Sequence, residues 1–281
     1  MDLFGRIPLR DGTKLVTHNG DTFIICGDPI GAGGYSIVYS AIKQGEHSLY
    51  AIKECYPVNK PYHQMDFCRE GGTVASSSSA GGEYLKTLSL QMKKEKEFSQ
   101  VIFNHTLCVV KMQEQLSIEK IDLDGETFSG EDGIFFLMDD IRMKSIPLHD
   151  LLKECHDKLA GDSGFPYRWS PDIHFFARLI SEILNGIGKI HSVHHGSSAG
   201  YLHGDIQENN IFFQDADLEV GDIGIASFLD FGCMKPLLED GCTDWIDIES
   251  LSSTPGYTPP EMLFGEDRMR LGVQADIYSL G

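Results

Sequence analysis

The sequence predicts an α+β chain in two parts, a strand-rich front containing one helix and a mainly helical back. Three observations predict it. Short apolar runs separated by Asp11-Gly12, Asn19-Gly20 and a glycine-rich turn fill the front. One stretch inside it, 83–103, carries helical apolar spacing. Beyond residue 140 the apolar runs lengthen to helical dimensions at 148–159 and 173–191.

Taken in order, residues 1–29 read as short strands broken by turns. Phe23-Ile24-Ile25 leads into Ile30-Gly31-Ala32-Gly33-Gly34-Tyr35-Ser36-Ile37-Val38-Tyr39. A glycine-rich turn between apolar runs lets backbone N–H groups approach phosphate oxygens, and it equally describes a plain flexible hairpin. Leu49-Tyr50-Ala51-Ile52-Lys53-Glu54 alternates as a strand, with Lys53 where a hairpin return would bring it. Residues 57–82, rich in Gly, Pro and Ser, read as a mobile loop. The helix after it places Leu85, Leu88, Met92 and Glu95 on one face, with Phe98 and Ile102 continuing it. Two strands follow at 108–112 and 134–138, joined by an acidic hairpin or loop at 119–132 that serves solubility. Asp139-Asp140-Ile141 links the two parts. Residues 161–171 read as a turn-rich connection, and Ser170-Pro171-Asp172 as a helix start. The helix at 173–191 is so apolar that a fully buried element is expected.

The bulk numbers narrow the function. The 281 residues are 41% apolar and 23% charged, ordinary for a folded domain with a sizeable core. A net charge of −19 opposes nucleic acid and anionic membranes as partners. The seven cysteines are scattered with no Cys-x-x-Cys, which points to reduced thiols in a cytoplasm. The first residues lack the build of a signal peptide, and no apolar run is long enough to span a bilayer. His191, His194, His195 and His203 cluster in sequence; they read as helix-end and loop histidines, with a zinc site as the sharper alternative.

The chemistry concentrates in His203-Gly204-Asp205-Ile206-Gln207-Glu208-Asn209-Asn210. Asp205 and Asn210 stand five residues apart between a helix-like and a strand-like run. Phosphoryl transfer needs such a pair on one rigid loop: a carboxylate to orient the acceptor hydroxyl, and an amide oxygen for a metal ion. Leu229-Asp230-Phe231-Gly232 supplies a second carboxylate. Glu95 is the expected partner of Lys53, with Glu97 as runner-up.

Together with Gly256-Tyr257-Thr258-Pro259-Pro260-Glu261 and Asp276-Ile277-Tyr278-Ser279-Leu280-Gly281, these residues resemble the protein-kinase superfamily. The nearest kind is the bacterial, eukaryotic-like Ser/Thr protein kinase. The resemblance runs over about 22–281 and implies a two-lobed protein-kinase-like fold. Its N-lobe would be an antiparallel β-sheet plus one helix, and its C-lobe mainly α-helical and incomplete at Gly281. The implied division is an N-terminal extension at 1–22, an N-lobe at 23–139 and a partial C-lobe at 140–281. It further implies ATP with Mg2+, or alternatively Mn2+, and a protein substrate bearing a Ser or Thr acceptor. Asp205 looks like the catalytic base, Lys53 and Glu95 like the ion pair that holds the phosphates, and Asn210 and Asp230 like the metal ligands. Gly31 and Gly33 would line the phosphates. Ile30, Val38, Ala51 and Phe212 would enclose adenine, with Met138 behind it and the backbone of Asp139 and Ile141 at its edge.

Three departures qualify the resemblance. Gly204 stands where such kinases carry arginine, which removes the cation that reads an activation-loop phosphate. Gln207 replaces a lysine and so removes one positive charge near the transferring phosphate. The third is the incomplete C-lobe, whose exposed apolar surface would favour self-association. Thr254 sits where Ser/Thr kinases place a threonine near the acceptor. Thr243, Ser250, Ser252 and Ser253 are candidate autophosphorylation sites by position. The alternatives are a small-molecule phosphotransferase of the aminoglycoside or choline kinase kind, and a nucleotide-binding pseudokinase.

Overall fold

The computed structural model describes residues 2, 4–63, 65–141, 145–159, 172–218, 221–247, 254–264 and 267–281. Two units emerge: residues 1–96 with 111–140, and residues 97–110 with 141–281.

Alternating apolar residues build the first unit. Its strands are β1 (Lys14–Thr17), β2 (Thr22–Ala32), β3 (Ser36–Lys43), β4 (Leu49–Cys55), β5 (Phe67–Glu70), β6 (Thr73–Ser76), β7 (Met112–Leu116), β8 (Ile118–Leu123), β9 (Glu126–Ser129) and β10 (Phe135–Asp139). Eight of them form one antiparallel sheet in the order β7-β10-β4-β3-β2-β1-β8-β9. Asn19-Gly20 forms the expected turn between β1 and β2, and β8–β9 is the hairpin expected in the acidic stretch. Because side chains alternate across a strand, one face buries Ile37, Tyr39, Ala41, Ile52, Phe135 and Leu137. Leu15, Phe23, Ile25 and Ile121 complete this core. Each fully buried aliphatic or aromatic side chain there contributes about 1.5–3 kcal/mol.

The stretch at 57–82 differs from expectation. Within it β5 and β6 pair from Phe67↔Ser76 to Glu70↔Thr73, and Phe67 and Val74 enter the core. Polar composition hid a hairpin that needs only two inward apolar residues. The helix that follows, α1 (Ser79–Thr106), starts four residues earlier than its apolar pattern indicates. Ser78 explains this: its Oγ accepts from the Gly81 backbone N–H at 3.0 Å, capping an otherwise unsatisfied first turn. The predicted face holds, with Leu88, Met92 and Glu95 all buried.

In the second unit, β11 (Ser145–Pro147) leads into α2 (Leu148–Leu159) and then α3 (Ile173–His191). Asp172 caps α3, its Oδ1 accepting from Phe175 N at 2.8 Å. Strands β12 (Gly200–Leu202), β13 (Ile211–Gln214), β14 (Ile225–Phe228), β15 (Lys235–Leu237) and β16 (Ile246–Asp247) come next. They are followed by α4 (Pro260–Phe264), β17 (Arg268–Met269) and α5 (Gln274–Leu280). A three-stranded sheet, β11-β13-β14, packs with α3 over a core that includes Ile102, Val109, Leu151, Phe213 and Phe228. Gly186 permits the contact, since a Cβ there would lie 2.5 Å from the Phe228 ring.

The expectation that α3 is fully buried is not met. Leu179, Ile183, Ile187 and Ile190 face the core, whereas Ile173, Ile180 and Leu184 are 76%, 56% and 44% exposed. Apolarity all round a helix does not distinguish a buried helix from one with a second apolar face. The expectations at 161–171, Ser250, Ser252 and Ser253 lie outside the described residues.

Candidate active site

In the first unit the sheet register assembles one group of predicted residues. Val38, Lys53 and Phe136 are cross-strand neighbours, and so are Ser40, Ala51 and Met138. The pleat therefore puts Val38, Ala51, Lys53 and Met138 on the face opposite the core. Gly31 pairs with Val38 across the same hairpin. Ile30 is half-buried beside it, and Asp139 accepts from Gln113. Lys53 Nζ lies 2.6 Å from Glu95 Oε1, with the side chains only 10% and 3% exposed. Glu97, the alternative partner, is exposed.

The glycine-rich turn closes with Gly33 N–H donating to the Ser36 carbonyl at 3.0 Å. A Cβ on Gly33 or Gly34 would meet no protein atom within 4 Å, and neither has the left-handed φ that favours glycine. The fold itself thus does not demand glycine at those positions.

The face behind Lys53 holds a polar cluster that sequence reasoning missed. Arg69 forks onto both oxygens of Glu54 at 2.8 and 2.7 Å, and Tyr39 donates to Glu54 Oε2 at 2.7 Å. Burial, then the neighbouring Glu54 charge, push the Tyr39 hydroxyl well above its ordinary range. The same two causes push the Cys55 thiol up to about 12. Only the parity of Glu54 against Lys53 hinted that its side chain turns inward.

In the second unit, a single buried carboxylate fixes the loop that bears Asp205. Asp276 Oδ2 accepts from His203 N and Oδ1 from Gly204 N, each at 2.8 Å, and His191 Nε2 lies 2.8 Å from Oδ2. In the sequence Asp276 was legible as the first residue of the kinase-like run Asp276–Gly281, with no partner assigned to it. His203 is fully buried against Phe231 and Phe228, its Nε2 donating to the Leu229 carbonyl and its Nδ1 accepting from Asp205 N. His105 and His195 stack edge to face, and no group of three metal-ligating residues occurs among the described residues.

Gly204 has a physical reason. Its φ is +81°, and a Cβ would stand 2.7 Å from the Cys233 carbonyl oxygen. Arginine cannot occupy this backbone, so the departure at this position is steric as well as electrostatic.

Three side chains converge on the Asp205 carboxylate. Thr254 Oγ1 donates to Oδ1 at 2.7 Å, while Gln207 Nε2 and Asn210 Nδ2 each donate to Oδ2 at 3.1 Å. Gln207 Nε2 also reaches Thr254 Oγ1 at 3.2 Å. The neutral amide therefore takes up the hydrogen bonds of this position without bringing a charge. Asn210 Nδ2 additionally donates to the Asp205 carbonyl at 2.9 Å, so the atom it retains for a ligand is the hard oxygen Oδ1. Its carbonyl accepts from Leu229 N at 2.9 Å, which brings Asp230 beside it in the chain. Asp230 is exposed with φ +60° and ψ +76°, a left-handed conformation that aspartate tolerates at some cost. Two hard oxygens on neighbouring backbones suit a hard divalent cation. Phe212 lies in β13 opposite Pro147 and Ser227, and Ile141 is half-buried. Thr243 is 1% exposed and accepts from Leu271 N, which removes it as an accessible phosphorylation site.

A family model described as "Protein kinase domain" matches residues 72–281. No curated protein matches the chain. Among solved structures it is similar to "PpkA-294 apo form", at 19% identity and a TM-score of 0.57, over 92% of this chain and 72% of that one. The fold is kinase-like, with an antiparallel sheet in the first unit, one long helix, and a mixed, helix-bearing second unit. With the family match covering well over half its length, the chain belongs to the protein kinase family.

Proposed function

We propose that this chain is an ATP-dependent protein serine/threonine kinase of a reducing cytoplasm. The observation that carries the reading is the Thr254 hydroxyl donating to Asp205 Oδ1 at 2.7 Å. A carboxylate that already accepts an aliphatic hydroxyl is built to accept one from a substrate serine or threonine. The scattered spacing of the seven cysteines, without Cys-x-x-Cys, supports the compartment.

Bound magnesium-ATP would supply the activated phosphoryl group. Asp205 orients the acceptor hydroxyl and takes its proton as the oxygen bonds to the γ-phosphorus and the bond to the ADP oxygen breaks. Gln207, Asn210 and Thr254 hold that carboxylate in one rotamer. Asn210 Oδ1 and Asp230 would hold the metal, and Lys53, steadied by Glu95, would neutralise phosphate oxygens. Gly33 leaves open space where the backbone can approach those oxygens, and Gly31 would line them beside it. Ile30, Val38, Ala51, Phe212 and Met138 would contact adenine, and the Asp139 and Ile141 backbone would meet its edge.

The test is transfer of labelled phosphate to a basic protein, against choline and aminoglycoside acceptors. The reading expects phosphoserine or phosphothreonine, lost in Asp205→Asn. Transfer to the small acceptors alone would favour the small-molecule phosphotransferase. The uncharged Gln207 amide favours a second reading, a nucleotide-binding pseudokinase. Magnesium-ATP would then raise the melting temperature without any transfer.

A further inference from the structure

We propose that Asp2 and residues 4–9 form a strap that positions the glycine-rich turn, with Arg6 as the positioning residue. The strap precedes the sheet in sequence and lies outside the residues matched to the kinase family. The inference rests on the nucleotide reading above for its functional consequence, and on geometry alone for the strap.

Arg6 is only 3% exposed. Its own segment prepares it: Asp2 Oδ1 accepts from Phe4 N and Arg6 N, each at 2.9 Å, and Oδ2 accepts from Arg6 Nε at 2.7 Å. Nη2 also lies 2.7 Å from Oδ2, although its direction makes no hydrogen bond. The guanidinium stacks 5.2 Å from the Phe4 ring and 5.7 Å from the Tyr56 ring. Held so, Nη1 donates to two backbone carbonyls, Ser36 at 3.3 Å and Tyr56.

Those carbonyls belong to the frame of the glycine-rich turn. The Ser36 carbonyl is the acceptor that closes the turn onto Gly33 N–H. Tyr56 N donates to the Tyr35 carbonyl at 3.1 Å, and Val58 N to the Gly34 carbonyl at 2.9 Å. Arg6 thus ties the exit of the turn to the segment after β4. A guanidinium on the Ser36 carbonyl also polarises it toward Gly33 N–H. Farther along, Arg69 Nε donates to the Ile7 carbonyl at 2.8 Å, and Leu9 N donates to Tyr39 Oη at 3.1 Å. Both anchors are members of the Glu54 cluster behind Lys53.

A buried cation is costly unless its partners are complete, and an apolar side chain would close this corner of the sheet more cheaply. What the arginine adds is direction: two carbonyls at the base of the turn are held at a fixed separation. Glycines that packing does not require make the turn intrinsically loose, so an external brace has an effect there.

The experiment compares Arg6→Ala, Arg6→Lys and a control, Arg10→Ala, which breaks the exposed Arg10–Asp124 ion pair, by amide hydrogen exchange and steady-state kinetics. Arg6→Ala is expected to speed exchange at Gly33, Tyr56 and Val58 by about tenfold, the loss of one buried hydrogen bond, and leave β10 unchanged. KM for ATP rises by a similar factor of about ten while kcat stays within about twofold. Arg6→Lys, with charge but no fork, is expected to fall between. Uniform loss of protection across the sheet, or unchanged exchange at those three amides, overturns the proposal. Exchange is read without nucleotide, so a wild-type chain that neither binds nor turns over ATP would refute the kinase reading while leaving the strap testable.

Discussion

Gln207 Nε2 stands 3.1 Å from Asp205 Oδ2 and 3.2 Å from Thr254 Oγ1, so one side-chain amide joins the proposed base to the residue 49 positions beyond it. The triangle is closed by the Thr254–Asp205 bond. Geometry and charge are therefore separable at this position: the amide orients the carboxylate but does nothing for charge developing on a phosphoryl group.

That separation makes a prediction in both directions. Gln207→Ala is expected to lower kcat by about tenfold, because the carboxylate loses a donor that fixes its rotamer. Gln207→Lys is expected to raise kcat by about tenfold, since it restores a cation beside the transferring phosphate. Steady-state kinetics with a protein acceptor checks both; a lysine variant slower than wild type would show that the amide is needed for more than orientation.

The ion pair between Lys53 and Glu95 makes a stability prediction. With both groups nearly sealed from water, Lys53→Met removes the ion-pair partner of a buried carboxylate and should cost about 3–5 kcal/mol. Glu95→Leu should cost a similar amount. The double variant should recover much of that loss, because no uncompensated charge remains. Urea denaturation of the three variants measures this, and simple additivity would contradict it.

Restoring the residue usual in the family at position 204 should harm this chain. Gly204→Arg must adopt φ near +81° with its Cβ against the Cys233 carbonyl. The strain alone is about 1–3 kcal/mol. The expected result is a lower melting temperature and lost transfer, and Gly204→Ala should show the same direction. A stable, more active arginine variant would mean the loop has another conformation.

The strap carries a pH dependence. Burial alone would raise the Asp2 carboxyl, but hydrogen bonds and charge from Arg6, with the Phe4 N–H, outweigh it and hold the carboxyl below its ordinary 3.8. A carboxyl lowered in the fold stabilises fully above that ordinary value and ceases to do so as pH falls through the folded value. Exchange at Gly33 should therefore accelerate below about pH 3.8, beyond its intrinsic acid dependence. Asp2→Asn should abolish the step.

Much of this chain was legible without coordinates because its signals are local. A two-residue period marks strands whose one face is buried, and the pattern at Leu88, Met92 and Glu95 marks a helix face. The spacing of Asp205 and Asn210 needs only one short loop, so adjacency in sequence became adjacency in space. Ser78 and the β5–β6 hairpin were missed because a serine-rich run looks alike as coil, cap or turn. The exposed side of α3 was missed because periodicity reports which residues are apolar and not what covers them.

By itself the sequence determined the two-part α+β class, the kinase resemblance and the candidate site residues. Tertiary structure alone decided which distant partners complete them: Thr254 on Asp205, Asp276 beneath His203 and Gly204, and Arg6 behind the glycine-rich turn. The physical reason is range. Backbone propensity and side-chain periodicity act over a few residues, whereas a hydrogen bond between positions 30 to 73 apart exists only after packing has closed the chain between them.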